Sequence, residues 1–131
     1  MPTHDTSFTA VAYEEITQYS IVKFTGTETN GLMEVRKCNN AEDTVVGVCM
    51  LAAEAGDLVS IRLPFSGLMP AYAYSNVKPG DPLSIGITYP GSLTNTLSGD
   101  SERAIAYVVQ TGNTGAGPSR CMVLFTRSYF M

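Results

Sequence analysis

The chain of 131 residues has no tryptophan and a single histidine, His4. One histidine in a polar stretch gives no basis for a His-centred triad or dyad, which needs its imidazole held on a rigid scaffold. Without nearby cysteines or a carboxylate cluster it is also a poor start for a metal site, although Asp5 adjoins it. Basic residues are scarce and scattered: eight Lys and Arg against twelve Asp and Glu, for a net charge of −4. Phosphate neutralisation needs a basic stripe, so neither nucleic acid nor an anionic membrane is an expected partner. No apolar run nears the roughly 18 residues of a membrane helix. The opening MPTHDTSFTA lacks the charged and apolar regions of a signal peptide. Three cysteines, Cys38, Cys49 and Cys121, are odd in number and far apart, which gives neither a zinc pattern nor a disulfide framework. Cys49 and Cys121 sit within VVGVCML and RCMVLF and read as small hydrophobes of a protein made in a reducing cytosol.

Charged residues make up 15% of the chain, against roughly 25% in an average globular protein. Hydrophobic residues reach 44%, so a core is affordable and disorder is excluded. Low charge with ordinary apolar content points to a surface partly covered by another protein. The plainer reading is a compact β domain rich in Thr, Ser and Gly.

No catalytic constellation emerges. The acidic pairs Glu14-Glu15, Glu42-Asp43 and Asp100/Glu102 all fall in expected turns, where solvated carboxylates are the rule. The Gly-rich stretch 111–120 ends without the Lys-Ser/Thr of a phosphate loop and precedes no helix pattern. It reads as a long loop between strands. Tyr72 and Tyr74, two apart, share one strand face. Such a pair stacks sugars or anchors an interface, or simply occupies a half-buried strand. No cofactor and no metal are expected.

Gly and Pro recur at short intervals between short apolar runs, the pattern of an all-β protein. Strands are expected near Phe8–Ala12, Ile21–Phe24, Leu32–Arg36, Val45–Leu51, Leu58–Leu63, Gly67–Tyr74, Leu83–Ile87, Ser92–Thr96, Ala104–Gln110 and Cys121–Arg127. Met50–Ala55 reads as a strand end plus a turn. In the last strand, Cys121, Val123 and Phe125 alternate with Met122, Leu124 and Thr126, so both faces should be buried. The chain also repeats itself in pattern. Ile16–Phe24 lies over Val77–Ile85, Gly31-Leu-Met over Gly91-Ser-Leu, Val45–Cys49 over Arg103–Tyr107 and Leu58–Leu63 over Met122–Arg127. Two halves are too few for a solenoid. They suit a single domain, 1–131, built as a small β-barrel or sandwich of two pseudo-repeats, about 13–63 and 72–127, of short antiparallel strands. In that arrangement Val59, Ile61, Val123 and Phe125 should meet in one core. Residues 1–7 are polar and read as a flexible N-terminal arm that orders on a partner. The apolar end, Ser128–Met131, should pack within the domain or between subunits.

The string Val46-Gly47-Val48, Ala52-Ala53, Gly56-Asp57-Leu58-Val59, Gly67 and then Gly80-Asp81-Pro82-Leu83 resembles the small capsid decoration, or cement, proteins of tailed bacteriophages. A first copy, Ile16-Thr-x-x-x-Ile-Val22, carries Tyr19-Ser20 in place of the usual glycine-aspartate. The resemblance covers residues 10–127, with the loop between Thr111 and Arg120 longer than usual in that family. It implies a non-enzymatic, barrel-like virion protein on the outer capsid surface, made in the host cytoplasm, bridging subunits of the major capsid protein as a homotrimer. Expected partner contacts are Pro2, Thr3, His4 and Asp5 in the arm, Tyr72 and Tyr74 on the strand, and Tyr129 and Phe130 at the end. The alternatives are a carbohydrate-binding module of the virion surface, with a glycan on Tyr72 and Tyr74, and a β-clip-type enzyme accessory domain.

Overall fold

The computed structural model describes residues 7–64, 67–74, 77–86, 89–95, 104–111 and 119–126. The protein is all-β, with no helix among the described residues. Its ten strands are β1 (Ser7–Ala12), β2 (Ile21–Thr29), β3 (Leu32–Lys37), β4 (Gly47–Cys49), β5 (Leu58–Arg62), β6 (Met69–Tyr74), β7 (Pro82–Ile85), β8 (Leu93–Asn95), β9 (Ala106–Thr111) and β10 (Ser119–Phe125). Each expected strand is present, with ends displaced by a few residues. Ser7, counted with the arm in the sequence, opens β1 opposite Arg62. The stretch after β4 is a turn in which Ala53 bridges back to Ile16.

The strands close into two barrels of identical order, β1-β3-β2-β4-β5 and β6-β8-β7-β9-β10. Pairing is antiparallel except for one parallel pair in each barrel, β1 with β3 and β6 with β8. A closed ring with an odd number of strands cannot alternate up and down all the way round, so five-strand closure requires one such pair.

Matching the two ladders position by position makes Ala12 the counterpart of Ala73, Val22 of Leu83 and Val35 of Leu93. Val59 answers to Cys121 and Ile61 to Val123. The sequence pattern instead sets Val59 over Val123, two residues away. A two-residue slip keeps every side chain on its own face, so apolar alternation cannot detect it. The same slip affects Gly31, because the ladder sets Met33, not Gly31, against Gly91. Around β4 the slip is one residue, with Gly47 answering to Ala106. There Val45 to Cys49 are all buried, so no alternation marks the register.

Each half fills its own interior. Val59 and Ile61 pack with Ala10, Ala12, Val22 and Val35. Val123 and Phe125 pack in a second cluster with Leu83, Leu93 and Val108. The single core expected for these four residues is therefore two cores, because each set of five strands closes on itself rather than facing the other as an open sheet. The last strand also departs from expectation: Cys121, Val123 and Phe125 are buried, but Leu124 is 43% exposed.

The barrels meet where the outer side of the first enters the second cluster, through Ile21, Cys38, Val45 and Val48, with Tyr19 and Met50 packed against it. Among the described residues, two backbone hydrogen bonds cross this seam: Ile21 N donates to Gly91 O and Gly91 N to Cys38 O, both 2.9 Å. Gly91 has φ +88°, and a β-carbon there would lie 2.9 Å from Ser20 Oγ. Both the backbone angle and the close approach therefore favour glycine.

Separate cores have a measurable signature. Ile61→Val is expected to cost about 0.5–1.5 kcal/mol and Val123→Ala about 1.5–3 kcal/mol. In denaturant titrations the double variant should lose the sum to within about 0.5 kcal/mol. A coupling well beyond that would mean that the two side chains share a core.

Candidate functional site

Three equivalent turns show how the site is built. In residues 54–57, Asp57 N donates to Glu54 O at 3.0 Å, and Glu54 N donates back to Asp57 Oδ2 at 3.0 Å. In residues 78–81, Asp81 N donates to Lys78 O at 3.0 Å and Lys78 N to Asp81 Oδ2 at 2.8 Å. The third residue of each is a glycine at positive φ, Gly56 at 89° and Gly80 at 92°. Residues 17–20 form the same turn with different chemistry. Ser20 N donates to Thr17 O at 3.2 Å, and the Thr17 and Ser20 hydroxyls bond at 2.7 Å. The third position is Tyr19 at φ 67°. A side chain in this left-handed region costs about 1–2 kcal/mol, so tertiary contacts must hold it. Tyr19 N donates to Cys49 O at 2.7 Å. Its ring centroid lies 6.2 Å from that of Tyr72, and the Arg120 guanidinium sits over it at 5.7 Å.

Beside this contact lies a groove of about 420 Å³ at the seam. Thr17, Gln18 and Ser20 form its first-barrel wall, and Tyr72, Tyr74, Tyr89 and the 90–92 turn form the other. Tyr72 and Tyr74 alternate along β6 with the buried Met69, Ala71 and Ala73, so they face outward. Tyr74 stacks on Tyr89 with centroids 3.6 Å apart and planes 7° from parallel. Loss of water, and then the Tyr89 phenol, push the Tyr74 phenol above its ordinary value. Ser92 Oγ donates to Tyr89 O at 2.5 Å and so fixes the turn that presents Tyr89. None of the described residues lining the groove is charged.

Of the eight residues singled out in the sequence, the structure brings together Tyr72 and Tyr74. Pro2, Thr3, His4, Asp5, Tyr129 and Phe130 lie outside the described residues. Sequence reasoning missed Tyr19 and Tyr89 as site residues. The substitution of tyrosine for the turn glycine was a signal for Tyr19. For Tyr89 there was none, since its stacking depends on how the 89–92 turn folds back beside β6.

Several charged residues are occupied elsewhere. Lys23 Nζ bonds Asp43 Oδ1 at 2.8 Å and Asn39 Oδ1 at 2.9 Å. Asp43 Oδ2 accepts the Asn39 and Asn40 amides, each at 2.9 Å. Asp43 is thus not the solvated turn carboxylate expected, but the cap of the 38–44 loop. Burial alone would raise its pKa, but the Lys23 and amide hydrogen bonds outweigh that and hold it below the ordinary 3.8. Glu42 is exposed, as expected of a turn. Glu14 accepts the Lys37 amide at 3.0 Å, while Asp100 and Glu102 lie outside the described residues. All three cysteines are buried and none is in a disulfide, and burial pushes the Cys38 and Cys49 thiols up. Among the described residues no group of three His, Cys, Asp or Glu is placed to hold a metal ion.

No family model matches the chain, and no curated protein does. Among solved structures, the chain is similar to the N base of the head fiber protein gp8.5 of bacteriophage phi29. The TM-score is 0.67 at 19% identity, over 95% of this chain and 97% of that one. At this identity the likeness establishes a shared fold across nearly the whole length of both chains.

The Asp43 cap predicts a pH dependence. A carboxylate held below its ordinary pKa contributes stability that is full above 3.8 and is lost as pH falls through the lower folded value. Asp43→Asn should lower stability at neutral pH and make the acid limb below 3.8 shallower in pH-dependent denaturation. Equal acid slopes in the two proteins would remove Asp43 from that role.

Proposed function

We propose that this chain is a structural protein of a tailed-phage virion, seated on the outer surface of the head as a homotrimer and stabilising the shell by bridging major capsid subunits. The observation that carries this reading is the shared fold with the phi29 head fiber base over almost the full length of both chains. The glycine-aspartate turns that resemble the decoration proteins support it. Here they are built at Gly56-Asp57 and Gly80-Asp81, each closed by its aspartate side chain.

The internal repeat supplies a reason for self-association. In the first barrel the outward residues Val48 and Met50 pack in the seam. Their counterparts in the second barrel are Tyr107, 38% exposed, and Val109, 42% exposed, with Leu124 paired to Tyr107. A face that is covered in one half and open in the other is matched by a neighbouring copy, and threefold repetition presents three equivalent patches to the shell. Pro2 to Asp5, Tyr129 and Phe130 remain proposed contacts of that assembly. The reading assigns the protein no chemistry.

Purified protein is expected to sediment as a trimer and to appear in virions in a fixed ratio to the major shell protein, read by mass spectrometry. Leu124→Asp places a charge on the open face. It should leave the fold intact by circular dichroism while weakening the trimer and lowering retention on heads. A monomer that binds heads as isolated copies would overturn the assembly.

A further inference from the structure

We propose that the tyrosine groove at the barrel seam is a carbohydrate-binding site, with the stacked Tyr74–Tyr89 pair as its platform and Tyr72 as its inner wall. This goes beyond the structural role and does not depend on it. The volume, about 420 Å³, falls in the roughly 300–1,000 Å³ range of small-ligand pockets. The lining decides the ligand class. None of the described residues lining the groove is charged, and Arg120 close by sits over the Tyr19 ring, so the lining itself offers a phosphate or a nucleotide no opposite charge. A peptide that binds by adding a strand is shut out, because β6 is already paired on both sides, by β8 and β10. The groove offers an aromatic platform with a neutral polar lining: the tyrosine phenols, Thr17 and the buried Ser20, whose hydroxyls bond each other, and Gln18, whose Nε2 donates to Met50 O at 3.1 Å. That combination suits a pyranose, with a flat C–H face to lay on a ring and hydroxyls around its rim.

The backbone strain points the same way. Two sister turns use glycine where this one carries Tyr19 at φ 67°, so the strain is local to the wall of the groove. Backbone strain of this kind persists where the surroundings hold it and gathers at ligand clamps. Here it sets the Tyr19 ring against Tyr72. Tyr89, 49% exposed, keeps surface open to a ligand although one ring face is taken by Tyr74.

The test uses saturation-transfer NMR on the full chain with neutral oligosaccharides of glucose, mannose and N-acetylglucosamine at millimolar concentration, and with a galacturonic acid oligomer as the charged arm. At least one neutral sugar is expected to receive saturation. Tyr89→Ala, at an exposed position, should weaken its binding by about tenfold, the size of one lost stacking contact. Tyr19→Gly suits the left-handed turn and should fold, yet bind less well because Tyr72 loses its support. The proposal fails if no neutral sugar binds or if only the acidic oligomer does. It also fails if binding survives both substitutions, or if Tyr89 in the assembled particle is shielded from nitration by a neighbouring copy. Head retention, measured on the same variants, reports separately on the structural role and should not change with Tyr89→Ala.

Discussion

Closure of five short strands into a ring is the constraint from which most of the structure follows. A ring this small has a narrow bore: small and β-branched residues such as Ala10, Ala12, Val22, Val35 and Val59 fill the first barrel, and in the second the small Ala71, Ala73 and Cys121 leave room for the larger Met69, Leu83, Leu93 and Phe125. Size is limiting at particular points. At Gly47 an added β-carbon would meet the backbone oxygen of Arg62 and lie 2.5 Å from Ile61 Cγ2, whereas its counterpart, Ala106, is accommodated in the second barrel. Closure also removes the unpaired strand edges that make short β-sheets prone to association, which leaves outward side chains as the means of contact.

The two rings are joined by unlike surfaces. The first offers the outer side of β2 and β4, and the second offers the turn around Gly91. Because the contact is not between equivalent faces, the repeat leaves Tyr107, Val109 and Leu124 open while Val48 and Met50 are covered. The tyrosine groove arises from the same asymmetry. Tyr13, the counterpart of Tyr74 by the β1–β3 and β6–β8 ladders, lies under Arg36 at 5.0 Å instead of against a second tyrosine.

Much of the fold was legible because strand alternation and glycine turns are local signals. All ten strands, the inward set on β5 and the doubling of the pattern could be seen. The exact correspondence between halves could not, because period-two alternation is unchanged by a shift of two. Nor could the division into two cores, since an inward residue on a strand looks the same whether its sheet curls on itself or faces another. Of the groove, Tyr72 and Tyr74 were visible as neighbours on one face. Asp43, by contrast, has the composition of any solvated turn, and only the folded loop shows its carboxylate gathering Lys23 and two amides.

Gly91 has a mechanical consequence. Its carbonyl and amide are tied to Ile21 and Cys38, residues whose own backbones are linked by the Cys38 N to Ile21 O bond at 3.0 Å. The turn of one ring is therefore stitched into the wall of the other, with no side chain between them to act as a bearing. A pull on either ring is carried across by backbone hydrogen bonds, as through a weld rather than a hinge, and the angle between the rings should resist torque that a side-chain contact of similar area would let slip.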